Sequence, residues 1–70
     1  MTRIPVRSSN IASIGYDVEE GILQVEFLDG SVYNYYEVPE EVHDGFMVAP
    51  SKGRFLWREI RDMYEYERVE

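Results

Sequence analysis

The chain has 70 residues with no cysteine and one histidine, so we expect a single domain over residues 1–70 without a disulfide or thiolate metal site. Its formal net charge of −7 argues against attraction of the whole surface to nucleic acid or to an anionic membrane. No apolar run approaches the roughly 18 residues of a membrane span, and no signal-peptide stretch begins the chain, so a cytoplasmic protein is expected.

The first part of the chain predicts an edge segment followed by a strand. Residues 3–6 contain Pro5, and proline is tolerated in a sheet only where no ladder hydrogen bond is needed from its nitrogen. We therefore place this segment at a sheet edge. Residues 11–17 alternate in polarity, which predicts a strand with Ala12, Ile14 and Tyr16 on one face.

A tyrosine-rich β-hairpin is predicted over residues 23–38, because Asp29-Gly30 is a strong turn signal between two runs of strand formers. A two-residue turn would place the apolar side of the first arm with Asn34. A three-residue loop, with Gly30 in a bulge, would place it with Tyr33 and Tyr35 instead. Burial favours the second register, since a slip of one residue exchanges the two faces. The buried face then consists of Leu23, Val25, Phe27, Tyr33 and Tyr35.

Two short helices are predicted after the hairpin. Pro39 and the acidic residues after it suit a first helical turn, and Pro50 ends this helix. Ser51 is the predicted N-cap of a second helix, residues 52–66, with Leu56, Ile60, Met63 and Tyr64 on its inward side.

This order of elements predicts an α+β fold, in which an antiparallel meander of about three strands is covered on one face by the two helices. The predicted core residues are Tyr16, Leu23, Val25, Phe27, Tyr33, Tyr35, Val42, Phe46, Leu56 and Ile60.

The sequence offers little support for catalysis. No spacing suggests a nucleophile, a base and an orienting group, and there is no phosphate-binding glycine-rich loop. His43 is interpreted as a surface or partly packed side chain. We therefore predict that the protein is not an enzyme and has no metal or cofactor.

The second predicted helix carries an unusual charge pattern. Arg54, Arg58 and Arg61 recur at i, i+4 and i+7, which would align them on one face. These cations lie near the helix start, the reverse of what the helix dipole favours, which indicates a functional reason. The predicted anion-binding residues are Ser51, Lys52, Gly53, Arg54, Arg58 and Arg61.

A structural interpretation of the same pattern stays open. Arg58 with Asp62, and Arg61 with Glu65, have the spacing of ion pairs on a solvated helix face. Trp57 is placed to stack on Arg61, four residues later.

Several of these segments together resemble the KTSC domain family. They are the run from Ser9 to Asp17, Leu23-x-Val25-x-Phe27, Gly30, Tyr33-x-Tyr35, Val38-Pro39, Ala49-x-Ser51-x-Gly53 and Ile60-Arg61. The family takes its name from a C-terminal extension of some lysyl-tRNA synthetases and also occurs as small stand-alone bacterial proteins. The resemblance implies no established activity, and RNA binding only through the synthetase association.

Two functional hypotheses follow. The leading one is a non-catalytic module that binds RNA or another phosphate-bearing ligand through the basic helix face. The rival is a protein-interaction module that uses the free sheet face around Val32, Asn34 and Tyr36, or an edge strand. Steep salt dependence is expected only of the first.

Overall fold

Five strands and two helices are formed in the computed structural model, which describes all 70 residues. The strands are β1 (Arg3–Pro5), β2 (Ile11–Asp17), β3 (Ile22–Phe27), β4 (Val32–Tyr35) and β5 (Tyr66–Arg68). Helices α1 (Glu40–Val48) and α2 (Lys52–Phe55) lie between β4 and β5, and α2 continues into a π-helical turn, Leu56–Ile60, called the π-turn below. No helix is both long enough and apolar enough to cross a bilayer.

The α+β class is confirmed, but the expected number of about three strands is wrong. The strands form one five-stranded antiparallel sheet in the order β1-β2-β3-β4-β5. As predicted, the segment containing Pro5 forms an edge strand. The other edge is β5, whose first residue, Tyr66, we expected at the end of the second helix but which instead pairs with Tyr35 of β4.

The preferred register of the hairpin is confirmed. Leu23 pairs with Tyr35, and Val25 with Tyr33, across a three-residue loop. Gly30 has φ of 91°, and its N–H donates to the carbonyl of Phe27 at 2.9 Å. Because a side chain strongly disfavours this backbone region, glycine is what permits the three-residue loop and so sets the faces of both strands.

Strand β2 departs from the strict alternation that we expected. A bulge between Ile11 and Ser13 shifts the register, so Ile11 pairs with Phe27 while Ile14 pairs with Val25. Both isoleucines are consequently buried in the core, whereas Ala12 is only half-buried. Ile14 and Tyr16 share the predicted face, opposite Val25 and Leu23, but Ala12 does not belong to it, since a bulge adds one residue to one strand of the pair.

The core lies between the sheet and the helices. Its nine buried residues are Ile11, Ile14, Leu23, Val25, Tyr35, Val38, Phe46, Leu56 and Ile60. Four of the predicted core residues, Tyr16, Phe27, Tyr33 and Val42, are half-buried and pack against this cluster. Fully burying one large aliphatic or aromatic side chain contributes about 1.5–3 kcal/mol, so this single cluster carries most of the favourable burial.

The second helix ends earlier than predicted. Ser51 caps it as expected, its Oγ accepting the Arg54 N–H at 3.3 Å, but α-helical structure ends at Phe55. The π-turn then brings the N–H of Arg61 to the carbonyl of Leu56 at 2.8 Å. Leu56 and Ile60 are buried as predicted, whereas Met63 is exposed. Strand pairing with β4 outweighs the helical propensity of the last residues, because propensity contributes only a small free energy per residue.

The outer sheet face carries a row of polar side chains across the strands. Arg3 Nη1 donates to Gln24 Oε1 at 2.9 Å, and Gln24 Nε2 donates to Asn34 Oδ1 at 2.9 Å. Gly15 pairs with both Arg3 and Gln24 and so lies between them. A Cβ there would come within 3.0 Å of Arg3 Cγ, so the absence of a side chain lets the arginine reach across β2.

The same face bears on the protein-interaction hypothesis. Val32 is 1% exposed, Asn34 is tied to Gln24, and the Tyr36 hydroxyl donates to Glu67 at 2.7 Å. None of these residues therefore presents a free apolar side chain.

Candidate ligand-binding cleft

A cleft of about 410 Å³ lies between the last two strands and the α2–π-turn segment. This volume falls within the roughly 300–1,000 Å³ typical of small-molecule sites. The lining residues are Asn10, Phe27, Ser31, Tyr33, Tyr35, Gly53, Leu56, Trp57, Arg61 and Tyr66. Arg61 is the one charged residue among them, so the cleft is locally cationic in a protein of net charge −7.

One wall of the cleft is built from aromatic rings of neighbouring strands. Because Tyr35 and Tyr66 are paired across β4 and β5, their ring centroids lie 5.8 Å apart. Tyr33 lies 5.9 Å from Tyr66 and 6.5 Å from Tyr35, and Phe27 meets Tyr33 edge-on at 5.7 Å. These separations are typical of favourable aromatic contacts, so the rings support one another as a continuous surface.

Tyr35 is the most deeply placed of these rings. The residue is 4% exposed, yet its hydroxyl takes part in no hydrogen bond with the rest of the chain. Every fully enclosed side-chain polar atom of the chain has a hydrogen-bond partner. The Tyr35 hydroxyl has none, so it is exposed at the surface of the cleft. Burial raises the pKa of Tyr35, with smaller contributions from Tyr33 and Tyr66, and the group therefore stays protonated and able to donate at neutral pH.

Trp57 and Arg61 form the rim of the cleft. The Trp57 side chain is 63% exposed, and Arg61 Cζ lies 4.3 Å from the centroid of its ring. This confirms the predicted stack of Arg61 on Trp57. A cation over an indole face contributes about 0.5–1 kcal/mol at an exposed site, so the contact holds the guanidinium at the cleft without neutralising its charge.

Asn10 reaches the cleft from the turn before β2. Ser8 Oγ accepts the backbone N–H groups of Asn10 and Ile11 at 3.3 and 3.2 Å. Its own proton therefore goes to Asn10 Oδ1, 3.1 Å away, which fixes the orientation of the amide. Asn10 Oδ1 also lies 2.9 Å from the position that a Cβ on Gly53 would occupy. Gly53 thus serves close packing of this side chain against α2.

The predicted anion-binding residues do not share one face. Gly53 and Arg61 line the cleft, whereas Ser51, Arg54 and Arg58 line a second groove between the end of α1 and α2. Lys52 Nζ is turned back to the carbonyl of Ala49 at 2.7 Å. The alignment at i, i+4 and i+7 holds only for an α-helix, and the π-turn changes the spacing after Phe55.

The predicted ion pairs of these arginines are absent. Within 4 Å, the one ion-pair contact of the chain joins His43 Nδ1 and Asp44 Oδ1, at 3.5 Å. Asp62 and Glu65 follow the π-turn outside any helix, so the i,i+4 spacing to Arg58 and Arg61 is lost. Arg61 at the cleft is therefore free of carboxylate partners, as are Arg54 and Arg58 at the second groove.

His43 lies away from the clefts. Its ring stacks on Tyr16 with centroids 4.7 Å apart and an interplanar angle of 8°, and the Tyr16 hydroxyl donates to the carbonyl of Val38. Burial, followed by nearby Glu40, raises the pKa of Tyr16. Neither the cleft nor the second groove borders His43, and no three His, Asp or Glu side chains converge as they would around a metal ion.

Some cleft residues were not singled out from the sequence as site residues. The sequence predicts Asn10 in a turn and Tyr66 at the end of a helix. The signal for Tyr66 was present, because residues 64–69 alternate between large and acidic side chains for part of their length, as in a strand. No local pattern points to Asn10, because its place depends on packing against Gly53.

Fold and cleft together define a class of small α+β domain: a five-stranded meander with an aromatic cleft between its last strands and a π-turn. Residues 7–69 match the KTSC domain family. The crystal structure of a KTSC domain protein from Yersinia pestis is similar, with a TM-score of 0.93 and 41% identity over 99% of this chain and 97% of that one. The chain belongs to the KTSC domain family, which confirms the resemblance seen in its sequence.

Other relatives differ in size. A protein of Tsukamurella paurometabola is 52% identical over 74% of this chain and 78% of its own. An uncharacterized protein of Stutzerimonas stutzeri is 39% identical over 100% of both chains. A lysine–tRNA ligase of Nostoc punctiforme is 34% identical over 87% of this chain, which spans only 11% of the ligase. The same domain thus occurs alone and as a small part of a much larger protein.

Proposed function

We propose that this domain is a non-catalytic binding module that takes RNA, or another phosphate-bearing ligand, at the cleft beside Trp57 and Arg61. The observation that carries the proposal is the Arg61 guanidinium, stacked on an exposed indole at the rim of an aromatic cleft without carboxylates. Aromatic faces bind bases by stacking, and arginine binds phosphate, which is the combination used by modules for single strands.

The acidic net charge does not prevent binding of a polyanion at this place. At physiological ionic strength, charges more than about 8 Å apart in water are largely screened from one another. A phosphate in contact with Arg61 therefore responds mainly to charges close to that residue, and the one charge that the cleft lining itself contributes is the positive charge of Arg61. We expect short RNAs to bind, with an affinity that depends strongly on salt.

Arg54 and Arg58 extend the basic surface. They line the second groove together with Ser51, and neither has a carboxylate within 4 Å. A strand leaving the cleft could place its next phosphates against them. Arg54 and Arg58 would then contact the ligand backbone as it passes from the cleft to the second groove.

The ligase relatives support RNA as the class of ligand. A lysine–tRNA ligase acts on tRNA, and it contains a segment similar to this domain. The domain would then contribute RNA affinity, while catalysis resides in the remainder of the ligase chain.

The test is a titration of short single-stranded RNA at low salt, followed by the fluorescence of Trp57, the only tryptophan. Arg61→Glu should weaken binding at least about tenfold, and the affinity of the unmodified chain should fall with a slope near 0.7 per phosphate contact. Arg7→Glu makes the same charge change at an exposed residue that borders no cleft. Equal effects of both variants, or binding insensitive to salt, would refute the proposal.

A protein-interaction module is the second candidate, favoured by the edge strand β1. Its Ile4 is 54% exposed, and an edge strand presents backbone groups to which an extended peptide can pair. Ile4→Glu would abolish such an interaction and leave RNA binding unchanged, so one variant separates the two candidates.

A further inference from the structure

We infer that the cleft takes an unpaired nucleotide of a bound RNA, with its base stacked on the exposed ring of Trp57 and its phosphate against Arg61. The domain therefore distinguishes a single strand from a duplex, and it does not distinguish one base from another. This rests on the proposed RNA binding and deepens it, because it names the form of RNA that is bound and the ring that selects it.

The first observation is that two aromatic rings of the cleft are exposed. Trp57 is 63% exposed and Tyr66 58%, and neither belongs to the nine-residue core or to the half-buried side chains packed against it. Isolated apolar residues on a surface are ordinary, but these two border the same cleft. Their faces are available to a ligand, and a nucleobase is a planar ring of the kind that stacks on them.

The second observation is that both rings are held in place. Arg61 Cζ lies 4.3 Å from the centroid of the Trp57 ring, and the ring of Tyr66 lies 5.8 Å from Tyr35 and 5.9 Å from Tyr33. A ligand that stacks on a ring already fixed by its neighbours loses little free energy in ordering it. Because the guanidinium lies over one face of the indole, the base stacks on the other, and its phosphate meets the guanidinium. Tyr66 offers a second ring to a neighbouring base.

The third observation is the small positive charge of the cleft. Arg61 is the one charged residue of its lining, in a protein of net charge −7. Binding to a duplex depends mainly on many phosphate contacts along its backbone, which one arginine does not supply. The bases of a duplex are also paired and stacked on one another, so a face reaches Trp57 only after a pair has opened. A single strand does not lose that free energy, and stacking therefore favours it.

The polar groups of the cleft do not select a base. The hydroxyls of Tyr33, Tyr35 and Tyr66 can each donate or accept a hydrogen bond, so they adapt to the edge of any base. Every base also has a face that stacks. Strands of uridine and of cytidine are therefore expected to bind with similar affinity.

The experiment follows a fluorescein-labelled RNA dodecamer of mixed sequence, either single-stranded or annealed to its complement, by fluorescence anisotropy at low salt. The unmodified chain should bind the single strand about tenfold more tightly, since stacking of one base on an aromatic ring gives discrimination of this order. Labelled octamers of uridine and of cytidine should bind within about threefold of each other.

Three variants assign the preference to the ring. Trp57→Leu keeps an apolar side chain without a ring, so it should weaken single-strand binding about fivefold or more and leave duplex binding unchanged. Trp57→Phe keeps a ring and should retain most of the preference. Leu28→Ala is the matched control, because Leu28 is 61% exposed and borders neither the cleft nor the second groove. Circular dichroism should show the melting temperature of the unmodified chain for Trp57→Leu, since Trp57 lies outside the core.

Equal binding of single strand and duplex by the unmodified chain overturns this inference, while the proposed RNA binding stands. A preference that persists in Trp57→Leu, or that falls as much in Leu28→Ala, overturns the assignment to Trp57. A difference of more than about tenfold between the two octamers overturns the absence of base selection, because contacts to base edges give discrimination of that size. Absence of binding to every RNA overturns both the inference and the proposed function.

Discussion

Replacing Gly53 with alanine sets two effects of similar size against each other. Alanine is favoured over glycine in a helix by about 0.5–1 kcal/mol. A Cβ at this position, however, would lie 2.9 Å from Asn10 Oδ1, closer than van der Waals contact allows. Asn10 must then rotate away and give up its hydrogen bond from Ser8, 3.1 Å long in the native domain.

The loss of that hydrogen bond is worth about 0.5–1.5 kcal/mol, so the two effects nearly cancel. We expect Gly53→Ala to change the free energy of unfolding by less than about 0.5 kcal/mol on these magnitudes. In an Asn10→Ala background the clash is gone, and the same substitution should stabilise the domain by the full helix-propensity gain of about 0.5–1 kcal/mol. That is a rise of several degrees in melting temperature for a domain of this size.

The assay is urea denaturation of the native chain, both single variants and the double variant, at one pH. The effect of Gly53→Ala on the free energy of unfolding is measured in the native chain and in the Asn10→Ala background. The difference between these two effects is the coupling free energy between residues 10 and 53. An equal stabilisation in both backgrounds would refute the contact of Asn10 with Gly53, and with it the packing of the turn against the cleft.

Two further predictions concern the sheet and the tyrosines. Gly15→Ala should lower the free energy of unfolding by about 1–3 kcal/mol, because its Cβ would lie 3.0 Å from the backbone carbonyl oxygen of Thr2. No side-chain rotation relieves this contact. An unchanged midpoint of urea denaturation would contradict the packing of β1 against Gly15. The pKa values of Tyr16 and Tyr35 are raised above the ordinary 10.0, so their contribution to stability is complete below pH 10 and is lost as pH rises through the higher folded-state values. Urea denaturation between pH 8 and pH 11 should show this decline, and Tyr16→Phe with Tyr35→Phe should make it shallower; an identical slope in that variant would exclude these tyrosines as the cause.

Local chemistry was enough to predict the hairpin and the first helix. Asp29-Gly30 and the burial of Tyr33 and Tyr35 together specify the hairpin register, because a turn and its two faces are decided within a few residues. The start and end of α1 follow likewise from Pro39 and Pro50.

The remainder depends on contacts between distant residues. Tyr66 becomes part of a strand because it pairs with Tyr35, 31 positions earlier in the numbering, and helical propensity carries no information about that pairing. The π-turn has the same origin, since the chain must reverse from buried Ile60 toward the edge of β4. Consequently the spacing of the arginines predicted one common face, and their division between the cleft and the second groove was not predictable from that spacing.

The strand that completes the cleft is also the one least firmly held. β5 has three residues, all exposed, and it pairs with a neighbour on one side only. Local opening needs least free energy where little apolar surface is buried, so this strand can detach while β2, β3 and the helices stay folded. Detachment removes Tyr66 from the aromatic wall, and a ligand that stacks on Tyr66 would oppose it. Amide hydrogen exchange in β5 should therefore slow when the cleft is filled, whereas exchange in β3 should follow global unfolding.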